Sequence, residues 1–362
     1  MLTKNTLLRF GVDTLNRFSA KDCCRFSGRT VAVGEKVYFN WSGSGFEFEF
    51  EGTFAAAEFL TDDLPNENER TYIGVYVDGC AYLQARFPID KTSGIYTLAE
   101  NLPYGKHTVK VIRDTEIWYG KVAVTDILTE NPPEAPRYQP KLKIEFIGDS
   151  ITCGYGNICS NASPDFLTSE ESFAETYASK AAKMLGADIS VIAASGSGFY
   201  HDYGCSTKNL IPELYLYRDK LLGGVRGEEP QKHDFENDPC DVVVIKLGQN
   251  DGQYCRGADL PEGEVTPETD KQRRLEFTKA ASEFFAAIKR LRKNAPVILI
   301  FESDMLLKNE VKSAAKSVYP DIELLEIMPK RPYEGVGANG HYSVYTHTRL
   351  AGLLCERIKR IC

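Results

Sequence analysis

A hydroxyl, a carboxamide and an imidazole sit at separate points of the chain where loop residues could do chemistry. Ser150 falls in Gly148-Asp149-Ser150-Ile-Thr-Cys-Gly154, directly after a short apolar run. That is a strand-to-helix turn, where orphan amides and the helix dipole favour negative charge. A serine nucleophile could work there, although a serine that merely caps the next helix explains the tripeptide equally well. Asn250 falls in Lys246-Leu-Gly248-Gln-Asn250-Asp251-Gly252 after another apolar run. Its amide could donate to a developing oxyanion while Gly248 lets the backbone come close, and the plainer reading is a turn with Asp251 as a helix cap. Ala194-Ser195-Gly196-Ser197-Gly198 offers one more exposed amide, a weak signal alone.

A serine hydroxyl is a poor nucleophile until something accepts its proton, and near neutral pH that is usually His. The chain has five. His107 lies in a strand pattern, His201 and His233 lie in polar segments, and His341 and His347 flank the start of the last helix. His341, in the turn-rich Asn339-Gly-His-Tyr-Ser343, is the best placed; His347 reads as a packing residue of the first helical turn.

Two kinds of periodicity must position these groups. Before about residue 130 the signals are those of strands, clearest in Phe46-Glu-Phe-Glu-Phe-Glu51, where strict alternation sends aromatic and acidic residues to opposite faces. Tyr72 to Val77, His107 to Ile112 and Lys121 to Ile127 read likewise, predicting an all-β sandwich or jelly roll over 1–130. Four prolines in 131–140 mark a linker. Over 141–362, short apolar strands (Ile144 to Ile147, Ile189 to Ala193, Val242 to Leu247, Val297 to Phe301, Ile322 to Glu326) alternate with helical patterns. Thr168-Ser-Glu-Glu171 reads as a capping box opening a helix that ends at Gly186, Leu275 to Leu291 carries an apolar stripe, and Leu350, Leu354, Ile358 and Ile361 give a final helix. This half is predicted to be an α/β domain, three-layered with a mainly parallel sheet, whose ligands bind beyond the carboxyl ends of the strands.

With 362 residues and ~150 per domain, two domains are expected. A net charge of -8, from 43 Lys plus Arg against 51 Asp plus Glu, argues against a general phosphate-backbone binder, so no nucleic-acid partner is expected. The N-terminus shows no apolar h-region, and no uncharged stretch reaches the ~18 residues that span a bilayer. The expectation is a soluble, cytoplasmic chain with no membrane partner. Ten dispersed Cys without a CxxC pair read as thiols in a reducing compartment and lend a metal site no support. No feature specifies an oligomeric state.

Taken in order, Gly-Asp-Ser150, Gly196, Gly-Gln-Asn250-Asp and His341 resemble the four blocks of the SGNH hydrolases, or GDSL-like esterases, over about residues 142–362. Gly28-Arg29, Trp41-Ser-Gly-Ser-Gly-Phe-Glu-Phe48, Val77-Asp-Gly79 and Leu102-Pro-Tyr-Gly-Lys-His-Thr-Val109 resemble the jelly-roll domain of carbohydrate esterase family 2. The resemblance implies a cofactor-free acetyl esterase acting on plant-type oligosaccharides. Ser150 would be the nucleophile and His341 the base, and the amides of Ser150 and Gly196 with the Asn250 side chain would form the oxyanion hole. His347 and Ala351 match helix-start positions of the family.

Two positions depart from it. Ala338 stands where most SGNH enzymes have the Asp that orients the imidazole, and Asn339 cannot be a charged partner, so a Ser-His dyad held by a backbone carbonyl is expected. Glu334 is near enough in sequence to be weighed as a substitute. Tyr342 replaces the family's usual Pro. Tyr200, Tyr254, Tyr333 and Tyr342 are candidate sugar-binding faces by proximity to the motifs. Two rivals share these features: a lipase or thioesterase on the same fold, since fold does not fix the acyl chain, and a carbohydrate-binding protein whose α/β half is inert.

Overall fold

The computed structural model describes residues 15–159, 166–261, 264–293, 295–328 and 331–362; the leader reading of the first ten residues lies outside them. Among the described residues the first half holds eleven strands: β1 Asn16–Ser19, β2 Arg25–Ser27, β3 Val31–Val33, β4 Lys36–Tyr38, β5 Gly45–Gly52, β6 Ala55–Asp63, β7 Tyr72–Val77, β8 Ala85–Pro88, β9 Ser93–Ala99, β10 Gly105–Arg113 and β11 Lys121–Thr129. They form two antiparallel sheets, ordered β3-β4-β11-β6-β9 with β1 on β11, and β2-β5-β10-β7-β8. The alternation in β5 works as its chemistry dictates. Phe46, Phe48 and Phe50 are at most 3% exposed in the core between the sheets, each contributing about 1.5–3 kcal/mol by burial, while Glu47, Glu49 and Glu51 face outward. Strand β6 has no such alternation because both its faces are covered: Ala55 and Ala57 enter the main core and Ala56 packs on Phe54 and Leu128.

Strands β12 Lys143–Gly148, β13 Asp188–Ala193, β14 Val242–Lys246, β15 Val297–Glu302 and β16 Glu323–Ile327 form an all-parallel sheet ordered β13-β12-β14-β15-β16. Helices α1 Ser150–Cys153, α2 Tyr177–Leu185, α3 Asp251–Cys255, α4 Pro267–Leu291, α5 Lys308–Val318 and α6 Val344–Ile361 surround it, with two further short helices at Ile211–Leu214 and Lys220–Arg226. Successive strand residues feed opposite cores: Ile144 and Phe146 meet α2 and α6, whereas Ile147, Val243 and Ile245 meet α4 and α5. Chain order reverses at β12, with β13 on one side and β14 on the other, so the crevice of a doubly wound sheet opens where β12 ends, at Ser150. Among the described residues no helix is long and apolar enough to cross a membrane.

Two helical expectations need correction, and one helix was not expected. The capping box is not one: Thr168–Glu170 and Phe173–Glu175 are separate 3₁₀ turns, and α2 starts only at Tyr177, capped by Thr176. Tertiary partners take the groups a helix would have used, since Thr168 Oγ1 donates to the Asn68 carbonyl and Asp114 accepts the Ala174 amide at 2.8 Å. Helix α4 begins eight residues before Leu275, with Thr266 as its cap, and Leu275 itself is 57% exposed; the buried stripe is Phe277, Ala281, Phe284, Phe285 and Ile288. Helix α5, buried through Val311, Ala314 and Ala315, carried too few apolar residues to be read from the sequence.

The halves are joined by polar groups taken out of water in pairs. Arg29, from the β2–β3 turn, and Arg292, after α4, both reach Glu145 on β12, at 3.3 and 2.5 Å, and all three are buried. Their charges hold the Glu145 carboxyl below the usual carboxylate range against a desolvation penalty that alone would raise it. Segment 131–140 also bonds to the sandwich, Glu134 exchanging both backbone hydrogen bonds with Glu49.

Candidate active site

Strand β12 ends at Gly148 and the chain turns straight into α1. Asp149, not Ser150, is the cap: its Oδ1 accepts the Ile151 amide at 3.1 Å. The plainer reading of Ser150 therefore fails, because a neighbour satisfies the helix end and leaves the serine hydroxyl available. Ser150 is the first helical residue, so its amide has no acceptor within the helix.

His341 Nε2 lies 2.9 Å from Ser150 Oγ, across 191 residues of sequence. Its Nδ1 lies 3.0 Å from the Ala338 carbonyl. A carbonyl can only accept, so the neutral ring carries its proton on Nδ1 and presents the Nε2 lone pair to the serine hydroxyl. The backbone supplies this orienting oxygen because the loop is wound tightly. Asn339 and Gly340 both have positive φ, and the Ala338 amide is pinned to the Gly156 carbonyl at 3.0 Å. A side chain at Gly156 would put its Cβ 2.4 Å from Ala338 Cβ. Tyr155, which precedes it, lays its ring 4.4 Å from the imidazole and takes a hydrogen bond from Asn339.

Behind Ser150 and His341, Lys246 and Glu302 form a buried ion pair at 3.2 Å, and the Tyr342 hydroxyl donates to Glu302. Burial opposes the Lys246 charge, but Glu302 and Asp149 outweigh it and raise its pKa. Burial likewise pushes the Asp149 carboxyl up, with Lys246 restraining it.

Asn250 Nδ2 donates to the Ser197 carbonyl at 2.8 Å, which commits one of its two hydrogens and leaves the other. The amide thereby spans the ends of β13 and β14. Asp251 strengthens the same junction: it is not a side-chain cap but accepts the amides of Phe199, Tyr200 and His201 at 2.8–3.0 Å. Burial nonetheless raises its pKa to about 6.

Glu334 does not reach His341. Its carboxylate takes Nε and Nη2 of Arg349 at 2.6 and 3.0 Å and the Thr346 hydroxyl at 2.8 Å, tying the loop to the first turns of α6. The Arg349 guanidinium draws its pKa down from 4.5 to about 2. An acid whose folded pKa is depressed stabilises the fold above its unfolded pKa, and that contribution fades as pH falls through the folded value. Glu334→Gln should therefore lower stability at neutral pH, and the gap to wild type should close between about pH 4.5 and about pH 2 in urea titrations. A gap that stays constant over that window contradicts the assignment. His347 packs as its position suggests: buried, its Nδ1 accepts the Tyr177 amide at 3.1 Å, and burial lowers its pKa to about 3.

A cavity of about 490 Å³ opens at Ser150 and His341, lined by Gln249, Asn250, Gln253, Arg256, Asp304 and Asn339 among others. A second, of about 330 Å³, adjoins the Gly196 loop, and Tyr203 borders both. The four candidate tyrosines fare differently. Tyr200 and Tyr254 line neither; they pack with His201, whose ring stacks 3.7 Å from Tyr254, and the Tyr254 hydroxyl is held by Glu276. Tyr333 is 76% exposed beside Arg331 and also lines neither. Tyr342 borders the first cavity, but it is buried and its hydroxyl is committed to Glu302. The aromatic groups at the site, Tyr155, Tyr203 and Trp118, were missed by the sequence reading. Tyr155 and Tyr203 lie within seven residues of motif serines or glycines; Trp118 comes from the other domain and has no local signal.

Residues 26–135 match carbohydrate esterase 2 N-terminal, and residues 144–344 match GDSL-like lipase/acylhydrolase. The cellulase/esterase CelE of Acetivibrio thermocellus is 30% identical over 334 residues, covering 88% of this chain and 37% of that protein. An acetylxylan esterase / glucomannan deacetylase of Cellvibrio japonicus is 26% identical over 201 residues, covering 55% of this chain and 54% of its own length. The chain thus spans between 37% and 54% of the length of these curated relatives. The structure of a family two carbohydrate esterase from Clostridium thermocellum in complex with cellohexaose superimposes with a TM-score of 0.79 at 24% identity, covering 93% of this chain and 98% of that one. With a GDSL match over more than half its length, and a match to the carbohydrate esterase 2 N-terminal domain before it, this chain belongs to the GDSL-like lipase/acylhydrolases.

Proposed function

We propose that the chain is a serine esterase that removes O-acetyl groups from xylo- or manno-oligosaccharides through an acetyl-enzyme on Ser150. The observation that carries this reading is the chain of contacts from the Ala338 carbonyl through both ring nitrogens of His341 to Ser150 Oγ. Ser150 Oγ attacks the acetyl carbonyl carbon as His341 Nε2 takes its proton. The oxyanion is received by the amides of Ser150 and Gly196 and by the free hydrogen of Asn250 Nδ2. His341 then returns the proton to the sugar oxygen as the carbon–oxygen bond to the sugar breaks. Water attacks the acetyl-enzyme with His341 again as base, releasing acetate and restoring the hydroxyl.

The substrate class rests on the cavity and the relatives. Glutamine, asparagine, arginine and aspartate side chains dominate the wall beside Met305 and Leu306, which suits a hydroxyl-rich alcohol and gives a long acyl chain no apolar trough. The relatives named acetylxylan esterase / glucomannan deacetylase act, by that name, on such sugars. The missing orienting carboxylate was the feature that favoured an inert α/β half, and the Ala338 carbonyl occupies its role. The test is hydrolysis of 4-nitrophenyl acetate against the octanoate, with acetate release from acetylated xylo- and manno-oligosaccharides. Acetyl preference and acetate release are expected; faster octanoate turnover without acetate release points to a lipase or thioesterase instead.

A further inference from the structure

The geometry points to Trp118 and Glu116 of the β domain as positioning residues for the oxyanion hole, holding the Ser195–Gly196 peptide so that the Gly196 amide faces Ser150. This rests on the esterase reading above. Trp118 Nε1 donates to the Ser195 carbonyl at 3.1 Å, and Glu116 Oε2 accepts the Ser195 amide at 2.6 Å. Ser195 is thus gripped on both its peptide groups by one segment of the other domain. A trans peptide is planar, with its C=O and N–H antiparallel, so fixing the Ser195 oxygen fixes the direction of the Gly196 N–H. That fixing matters because Gly196 sits at φ +78, where only its lack of a Cβ makes the conformation comfortable and where nothing in its own side chain restrains it. The Gly196 carbonyl is held in turn by the Tyr203 amide at 2.8 Å.

The gripping segment, between β10 and β11, is itself rigid. The buried Arg113 guanidinium donates to the carbonyls of Thr115, Glu116 and Gly120 at 3.1, 2.6 and 3.2 Å. Ile117, fully buried, enters the α/β core beside β12 and β14. Burial raises the Glu116 pKa, and a neutral carboxyl still offers an oxygen to the Ser195 amide. An accessory domain that only docked would have no reason to place a buried carboxyl and an indole on this one residue.

Trp118→Phe tests it, because Phe keeps the ring face and loses the N–H. The substrate is 4-nitrophenyl acetate, which has no sugar to meet a wall, and the second readout is binding of phenylboronic acid, whose tetrahedral adduct on Ser150 places an oxygen in the hole. The expected result is a kcat about tenfold lower, below the 10²–10³ lost when a donor itself is removed, with KM unchanged and boronate affinity weakened by a similar factor. Glu116→Ala should lower kcat more than Glu116→Gln, which keeps an acceptor for the Ser195 amide. Native kcat and boronate affinity in Trp118→Phe, or a change in KM alone, overturns the proposal while leaving the Ser150 assignment standing. Turnover that survives Ser150→Ala overturns the esterase reading instead.

Discussion

Ser150→Ala is expected to lower kcat for acetyl-ester hydrolysis by about 10⁴–10⁶ while leaving the fold intact. The size follows from losing the only route through a covalent intermediate, the remaining acceleration coming from binding and the oxyanion donors. The fold should survive because Asp149, not Ser150, caps α1, and the serine hydroxyl points at the imidazole. His341→Ala should cost a similar amount, since an unactivated hydroxyl is nearly as idle as a missing one. The double variant should then be no worse than either single variant, because the two groups act as a unit. Steady-state kinetics on 4-nitrophenyl acetate, with thermal melts as the control for folding, decide this. Losses that simply multiply would mean that the two residues work apart.

Asn250→Ala should lower kcat by roughly 10²–10³, about 2.7–4 kcal/mol of transition-state stabilisation, with a much smaller change in KM. The split matters because an oxyanion donor meets its charge only after attack, so its loss is felt in the chemical step. Asn250 also holds the Ser197 carbonyl, so part of any loss could come from a loosened loop. Asn250→Asp adds a second effect to the same losses: it keeps the size of the side chain, removes both donors, the one to Ser197 included, and sets a negative charge against the developing oxyanion. It should be less active than Asn250→Ala. A kcat unchanged in Asn250→Ala would make this residue a structural tie only.

The frame of the candidate site was legible in the sequence because parallel strands buried on both faces read as short apolar runs, and the motifs follow directly at their ends. β12, β13 and β14 each lie within a residue of their expected positions, and Ser150, Gly196 and Asn250 come from the turns that follow them. What could not be read was whatever depends on tertiary partners. The orienting group for His341 is a main-chain carbonyl, which leaves no side chain to recognise at Ala338. Helix α2 starts late because contacts from Asn68 and Asp114 claim the groups of the turn before it. The tyrosines misled for a related reason: nearness in sequence to a motif puts a ring on the right loop but does not choose between the cavity and the packed side, and Tyr200 and Tyr254 took the packed side with His201. Trp118 lies in a different domain from the motifs of Ser150, Gly196, Asn250 and His341, so only the fold could bring it to Ser195.

The most direct test is covalent labelling of the enzyme with a 4-nitrophenyl alkylphosphonate, followed by peptide mass mapping. Attack by an activated serine displaces 4-nitrophenolate and leaves a tetrahedral phosphonyl group whose oxygen occupies the oxyanion hole. One equivalent of label on Ser150, with loss of activity in step with labelling and slow labelling in His341→Ala, is the predicted result. Label on another residue, or full activity in protein already labelled at Ser150, would contradict it.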